Sequence, residues 1–146
     1  MIYTSTDPKD AFALGDEVLL LDEHTKLQSG KPLDVYRDPR SYAAADLMSD
    51  PGVNPFMTKA SLVAAARKAA VRPEHVYLAS APPPGEVSEF QMDVWGLETS
   101  GDETFIHGSV EDSPWVVRCS GMAHVVPGQR LPILVRNDDI MRFGVV

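Results

Sequence analysis

Hydrophobic and polar residues alternate in the second half of the chain with the period of two that is typical of β-strands. The alternation is clearest at 90–94 and 131–135, and residues 104–110 and 115–119 are rich in strand-forming side chains. Clusters of Gly, Pro, Ser and Asp separate these segments. Several short strands at this spacing predict a small antiparallel barrel or sandwich.

The first third of the chain predicts short helices mixed with strands. Asp7 and Pro8 suit the start of a helix over 9–14, and Gly15 suits its end. The apolar run at 18–21 predicts a strand that is buried on both faces. The other elements predicted here are a strand at 25–28, a helix at 32–37 and a helix that begins at Asp38-Pro39 and runs through Met48.

An alanine-rich stretch lies between these two parts. Residues 59–70 have high helix propensity, so they predict a helix, and we assign 56–70 to a helical connector. The fold class predicted for the chain is therefore α+β, with a helical and stranded part at 1–55 and an antiparallel β-domain at 71–146.

Composition narrows the possible functions. The chain has 146 residues, enough for one ordinary domain, and 44% of them are hydrophobic. Its 13 basic and 21 acidic residues give a net charge of −8, which disfavours a nucleic-acid partner because binding to phosphates needs a positive surface. No apolar run is long enough to span a membrane. These features favour a cytoplasmic protein that is not inserted in a membrane.

The residues with catalytic potential form no recognised catalytic or metal-binding motif. The single cysteine, Cys119, excludes a disulfide within the chain and a cysteine-based zinc cluster. None of the four histidines has metal-ligand spacing, and we interpret His107 as a structural residue on a strand. The pattern GxxxxGK[ST] is absent, so this chain alone is not expected to hydrolyse ATP.

Several segments, taken in order, resemble a known family. They include Leu14-Gly15-Asp16, Gln28-Ser29-Gly30 followed by Pro32 and Tyr36, and Arg72-Pro73-Glu74-His75. The complete set lies at 3–7, 11–16, 28–39, 50–54, 71–78, 96–107, 128 and 131–135. This order and spacing resemble the C-terminal part of the ATP-binding subunits of carbohydrate-import ABC transporters, of the maltose and glycerol-phosphate importer type.

The resemblance implies a division into domains. Residues 1–55 would be the C-terminal end of an ABC nucleotide-binding domain, and 71–146 would be a TOBE (transport-associated oligosaccharide-binding) regulatory domain with an OB-like barrel. Because only a helical stretch is predicted at 57–70, we expect this barrel either to lack strands or to be closed by a strand from elsewhere. The family carries its phosphate loop, signature loop and magnesium-binding strand upstream, so we expect the chain to be a C-terminal fragment or a truncated product.

The resemblance also implies site residues. Thr6 stands at the position of the family's switch histidine, which senses the γ-phosphate of ATP, and would contact nucleotide only in a complete subunit. The competing interpretation is that Thr6 caps a helix beside Asp7. No catalytic residue and no metal ligand is assigned. The motif formed by Arg72, Pro73, Glu74 and His75 is interpreted as architectural, with Pro73 fixing the direction of the chain.

The implied function is that of a regulatory and dimerisation portion of an importer ATPase for sugar, polyol or glycerol-type solutes. ATP and Mg²⁺ would bind the complete subunit and not this chain. The implied partners are a second copy, through the C-terminal domain, and membrane permease subunits, through the ATPase core. The implied location is the cytoplasm, peripheral to the inner membrane.

Two other functions remain open. The chain could be a stand-alone module that binds a sugar, a polyol or an oxyanion in a loop of the β-domain. The candidate ligand residues are Glu98, Thr99, Asp102 and Glu103. Their acidity argues against an oxyanion and favours a polyol or a cation. The chain could also be a remnant with no activity, or one that interferes with an intact homologue by pairing with it.

Overall fold

The structure is a computed structural model that describes residues 1–56 and 68–144. The chain divides into two compact units, Met1–Val53 and Asn54–Val146. In the described residues the fold is mostly antiparallel sheet with few helices. The helices are α1 (Pro8–Leu14), α2 (Pro32–Arg37) and α3 (Tyr42–Leu47). The strands are β1 (Val18–Asp22), β2 (Thr25–Gly30), β3 (Asn54–Phe56), β4 (Lys68–Val71), β5 (Val76–Leu78), β6 (Val87–Thr99), β7 (Glu103–Val110), β8 (Ser113–Ser120), β9 (Arg130–Arg136) and β10 (Met141–Phe143).

In the first unit, the predicted start and end of helix α1 are confirmed. The Asp7 carboxylate accepts from the Lys9 N–H at 2.9 Å, which satisfies one of the unpaired N–H groups of the first turn. Pro8 occupies the first helical turn. At the other end, the Gly15 N–H donates to the Ala11 carbonyl at 3.0 Å. Helix α2 also lies at the predicted position, residues 32–37.

The prediction that the strand at 18–21 is buried on both faces is wrong. In β1 only Leu20 is buried, whereas Leu19 and Leu21 are 52% and 61% exposed. Among the residues that the structure describes, strand β1 pairs only with β2, in a two-stranded sheet. One face of this hairpin packs on the core cluster of the unit. On the other face Leu19 and Leu21 are exposed. The cluster consists of Leu20, Val35, Ala44 and Met48.

The predicted start of the next helix at Asp38-Pro39 is also wrong. Helix α3 begins after Ser41, whose side chain accepts from the Ala44 N–H at 3.1 Å. Gln28 explains the difference. Its buried amide donates to the Asp38 carbonyl and accepts from the Arg40 N–H, both at 2.9 Å. The backbone of this segment is therefore bonded to β2 instead of starting a helix.

The second unit contains a five-stranded sheet in the order β5-β9-β6-β7-β8 and a three-stranded sheet in the order β10-β4-β3. Strand β6 is long enough to pair with two neighbours, first with β9 and then with β7. A register shift between Val94 and Gly96 leaves Trp95 as an extra residue in β6, the arrangement of a β-bulge.

The alternation that predicted these strands is confirmed. In β6, Met92 and Val94 are buried and their neighbours are exposed. In β7 every second residue from Thr104 to Val110 is buried. The hydrophobic side chains among them belong to one core cluster, formed by Val71, Val76, Met92, Val94, Ile106, Val110, Trp115, Val117, Leu131, Ile133 and Val135.

The prediction of a helical connector at 56–70 is corrected in part. Residues 57–67 of the predicted helical stretch lie outside the described residues. The last three residues of the predicted helix, 68–70, lie in strand β4, which is paired on both sides, with β3 and β10. Sheet pairing therefore overrides the helix propensity of alanine at these positions. The expectation that strands are missing before residue 71 is likewise wrong, because β3 and β4 lie there.

Candidate functional site

Strands β3 and β8 are joined by side chains. The Asn54 Nδ2–H donates to the Val116 carbonyl at 2.8 Å, and Asn54 Oδ1 accepts from the Val116 N–H at 2.7 Å. The Trp115 Nε1–H donates to the Pro55 carbonyl at 2.9 Å. Strand β8 is the last strand of the five-stranded sheet, so the amide of Asn54 takes the place of a backbone partner for Val116.

An aromatic cluster covers this junction. The rings of Phe56 and Trp115 meet edge to face, with centroids 5.1 Å apart. Phe90 completes the cluster at 5.5 Å from Phe56 and 5.8 Å from Trp115. The sequence analysis did not identify this junction. The one local signal was a polar residue, Asn54, directly before Pro55 and Phe56.

Thr6 lies in the first unit, at an open polar cleft of about 330 Å³. Carboxylates dominate its lining, since Asp7, Asp46 and Asp50 all contribute. Asp7 is occupied as the cap of α1, and Asp46 accepts from the Val53 N–H at 2.9 Å. Asp50 lies 3.1 Å from the Lys9 ammonium in a largely exposed ion pair, which contributes little to stability.

These residues do not suit a phosphate group by themselves. A phosphate is favoured by cations and by free N–H groups, whereas this cleft presents three carboxylates. Nearby, burial raises the pKa of the Tyr42 phenol, and the negative charge of Asp46 adds to the effect. The phenol therefore stays protonated near neutral pH.

The motif at 72–75 connects the two sheets of the second unit. Pro73 begins a single 3-10 turn, Pro73–His75, that leads from β4 into β5. The His75 N–H donates to the Arg72 carbonyl at 3.0 Å. Arg72 is buried, at 4% exposure, and its Nη1 lies 3.2 Å from the sulfur of Met141. Glu74 is half-buried on the same turn.

The candidate ligand residues lie on the β6–β7 hairpin, and two of the four, Thr99 and Asp102, form side-chain hydrogen bonds within its turn. The Thr99 hydroxyl donates to the Glu103 carbonyl at 3.2 Å and accepts from the Gly101 N–H at 3.3 Å. The Asp102 carboxylate accepts from Ser100 at 3.1 Å. These contacts close the turn and occupy the groups that a ligand would use.

The two glutamates of this set lie beside the side chains of Arg118 and His107 on the outer face of the sheet. The Arg118 Nε–H donates to Glu103 Oε1 at 2.9 Å, and the guanidinium lies 5.8 Å from the centroid of the Phe105 ring. Glu98 Oε2 lies 3.7 Å from Nε2 of His107. His107 lies on β7, the predicted strand, and is half-buried, but its Nε2 is buried and makes no hydrogen bond with the described residues.

Cys119 is half-buried on β8, and burial raises the pKa of its thiol. Its sulfur lies 3.6 Å from the Thr104 carbonyl. Within 1–56 and 68–144, no three His, Cys, Asp or Glu side chains are grouped so that they could hold a metal ion. Over the same residues, no helix has the length and apolar character needed to cross a membrane.

Comparison with known proteins supports the resemblance in the sequence. The chain is 27% identical to an sn-glycerol-3-phosphate import ATP-binding protein of Chromobacterium violaceum, over 97% of this chain and 43% of the relative. It is 24% identical to an uncharacterized ABC transporter ATP-binding protein of Bacillus subtilis, over 98% of this chain and 47% of the relative. The chain thus spans less than half the length of these curated relatives and corresponds to their C-terminal part.

A solved structure of the cytoplasmic molybdate-binding protein ModG, with molybdate bound, is similar over 55% of this chain and 62% of that chain, with a TM-score of 0.46 and 15% identity. The sequence model of the TOBE domain family matches residues 69–143. That range runs from β4 through β10 and covers about half of the chain. The chain belongs to the TOBE domain family.

Proposed function

We propose that this chain is the C-terminal regulatory portion of an ABC importer ATPase that energises the uptake of a sugar, polyol or glycerol-type solute. In this proposal the first unit is the end of the nucleotide-binding domain, and the second unit is an OB-like regulatory barrel. The junction between β3 and β8 supports the barrel, because it links one end of the five-stranded sheet to the smaller sheet. ATP and Mg²⁺ would bind the complete subunit.

The observation that carries the proposal is the apolar surface of the first unit. Its core cluster has four buried side chains, yet many large hydrophobic residues remain exposed. The exposed residues are Met1, Ile2, Tyr3, Phe12, Leu14, Leu19, Leu21, Leu33 and Leu47. Such a surface is typical of a part that packs against further protein, and the relative from Chromobacterium violaceum is more than twice as long as the region that matches this chain.

The partners follow from the same proposal. In the complete subunit, the core of the nucleotide-binding domain would contact membrane permease subunits, and the regulatory unit would pair with a second copy. The assembled protein would lie in the cytoplasm, peripheral to the inner membrane.

A chimera tests the proposal. The C-terminal part of the Chromobacterium violaceum relative is replaced by this chain, and ATP hydrolysis is measured on the purified protein. We expect the chimera to fold and to hydrolyse ATP. Leu21→Glu should abolish the activity, because it places a charge on the exposed apolar face of β1 that would be buried against the ATPase core. Val87→Glu, an exposed apolar position of the second unit, is the matched control and should leave the activity unchanged.

A soluble chimera that binds no ATP, or in which Leu21→Glu and Val87→Glu behave alike, would contradict the proposal. The same chimera tests Thr6. If Thr6 contacts nucleotide, Thr6→Ala and Thr6→His should differ from the unmodified chimera in ATPase rate. Equal rates in all three would assign Thr6 to the local structure around α1.

A further inference from the structure

The connection between β8 and β9 has the character of a strand without a neighbour. Residues 122–126, which we call the 122–126 segment, alternate between exposed and half-buried positions, the period of an extended strand. Ala123 and Val125 pack against the core cluster of the second unit. Gly121 and Gly128, with φ of 74° and 88°, mark the two ends; this is a conformation that favours glycine.

The backbone of this segment is open. Across the described ranges 1–56 and 68–144, the N–H and C=O groups of residues 122–125 have no hydrogen-bond partner. The ends are fixed. The Gly121 N–H donates to the Asp102 carbonyl at 2.7 Å, and the Val126 N–H donates to Gln129 Oε1 at 3.2 Å. An anchored segment with the alternating exposure of a strand and with unpaired backbone groups is a template on which another strand can add.

The side chains around this edge are apolar and exposed. Met122 is 71% exposed and Val126 is 63% exposed. Trp95, the extra residue of the β6 bulge, is 60% exposed. It lies beside the same connection, because the preceding Val94 exchanges two backbone bonds with Gly128 and Gln129, of 2.8 and 3.0 Å.

Charge favours a second copy as the occupant. The chain carries a net charge of −8, so most of its surface repels another copy. The 122–126 segment, Met-Ala-His-Val-Val, contains no Asp, Glu, Lys or Arg. Two copies can therefore meet here without bringing carboxylates of the segment together.

The segment is also complementary to itself. In an antiparallel pair centred on His124, Met122 of each copy lies opposite Val126 of the other, and Ala123 lies opposite Val125. We propose that the 122–126 segment is the edge at which two copies of this chain pair, strand to strand, about a two-fold axis at His124. The inference rests on the homodimer of the proposed function and assigns its interface.

Disulfide cross-linking tests the register. In the full chain with Cys119→Ser, the variant His124→Cys places two thiols directly opposite each other, with Cα atoms about 4.5–5.5 Å apart, within the reach of a disulfide. In Met122→Cys the two thiols are displaced by about four residues, roughly 13 Å along the strands. Under mild oxidation we expect at least about tenfold more covalent dimer from His124→Cys than from Met122→Cys.

Sedimentation equilibrium distinguishes the proposed interface at 122–126 from the homodimer itself, which the proposed function already includes. Val126→Asp should raise the dimer dissociation constant at least about tenfold, because it replaces the apolar side chain opposite Met122 of the other copy with a charge that the contact would desolvate. Val87→Asp changes another exposed valine of the second unit and should leave the constant unchanged. A dimer that tolerates both variants and gives no preferential link at His124→Cys would overturn the interface alone. A wild-type chain that stays monomeric would overturn both the interface and the homodimer.

Discussion

A substitution at Asn54 tests how strand β3 is held to strand β8 in the second unit. Asn54 is 3% exposed and uses both ends of its amide on the backbone of Val116. The variant Asn54→Asp keeps the size and shape of the side chain and keeps the acceptor for the Val116 N–H. It removes the donor to the Val116 carbonyl and places a carboxylate oxygen against that carbonyl instead.

The loss of stability expected from Asn54→Asp has two parts. Leaving a buried carbonyl without its donor costs about 1–3 kcal/mol. Burying an ionised carboxylate beside another acceptor adds a desolvation cost of similar size, so we expect Asn54→Asp to lower the free energy of unfolding of the second unit by about 2–5 kcal/mol. The total free energy of unfolding of a domain of this size is about 5–15 kcal/mol. Protonation of the new carboxyl restores a donor, so the deficit should shrink as the pH falls.

Tryptophan fluorescence during urea unfolding is the appropriate assay. Both tryptophans of the chain, Trp95 and Trp115, lie in the second unit. The signal therefore follows the second unit even where the first unfolds separately. Trp115 is 2% exposed and bonds to the Pro55 carbonyl beside Asn54, so its emission reports directly on the junction of β3 with β8.

The matched control is the other asparagine of the chain, Asn137. There the side-chain oxygen accepts from the Ser88 hydroxyl at 2.7 Å, a bond that Asn137→Asp preserves. At about 0.5 M NaCl, repulsion between exposed carboxylates is screened. Under this condition the free energy of unfolding of Asn137→Asp should stay within about 0.5 kcal/mol of that of the wild type. If Asn54→Asp also stays within that margin, the amide does not hold β3 to β8 and the reasoning is refuted.

Two further predictions concern other buried positions. A Cβ on Gly108 would lie 2.3 Å from the Asp93 carbonyl oxygen, so in the same urea assay Gly108→Ala should lower the free energy of unfolding by about 1–3 kcal/mol. The control is Gly96→Ala, because a Cβ at Gly96 meets no atom within 4 Å. This control should leave the free energy of unfolding unchanged or slightly raised. Burial raises the pKa of the Cys119 thiol, so its alkylation should be slower than that of a free thiol at the same pH, and the stability contributed by the neutral thiol should be lost as the pH rises through the raised pKa. Alkylation as fast as that of the urea-unfolded chain would contradict this.

Local signals in the sequence predicted the local structure well. The cap at Asp7 with Pro8 located α1, and Pro32 located α2. The alternation at 90–94 and 131–135 located β6 and β9 together with their buried faces. These features depend on a residue and its near neighbours, so a single sequence contains the information.

The features that were missed depend on contacts between distant residues. Asn54 and Val116 are 62 positions apart, and no short pattern relates them. Gln28 displaces the start of α3 from 10 and 12 positions away, through bonds to Asp38 and Arg40. Residues 68–70 form a strand because β3 and β10 pair with them on both sides, although their own composition favours a helix.

The junction at Asn54 also determines where the second unit begins. The family match starts at residue 69, but β3, which lies before it, pairs with β4 and supplies both the amide and the Pro55 carbonyl that hold β8. A unit cut at residue 69 would leave β4 unpaired on one side and would deprive the Val116 backbone of its partner. Because buried backbone groups require partners, the structural unit includes residues 54–56, in agreement with the division of the chain between Val53 and Asn54.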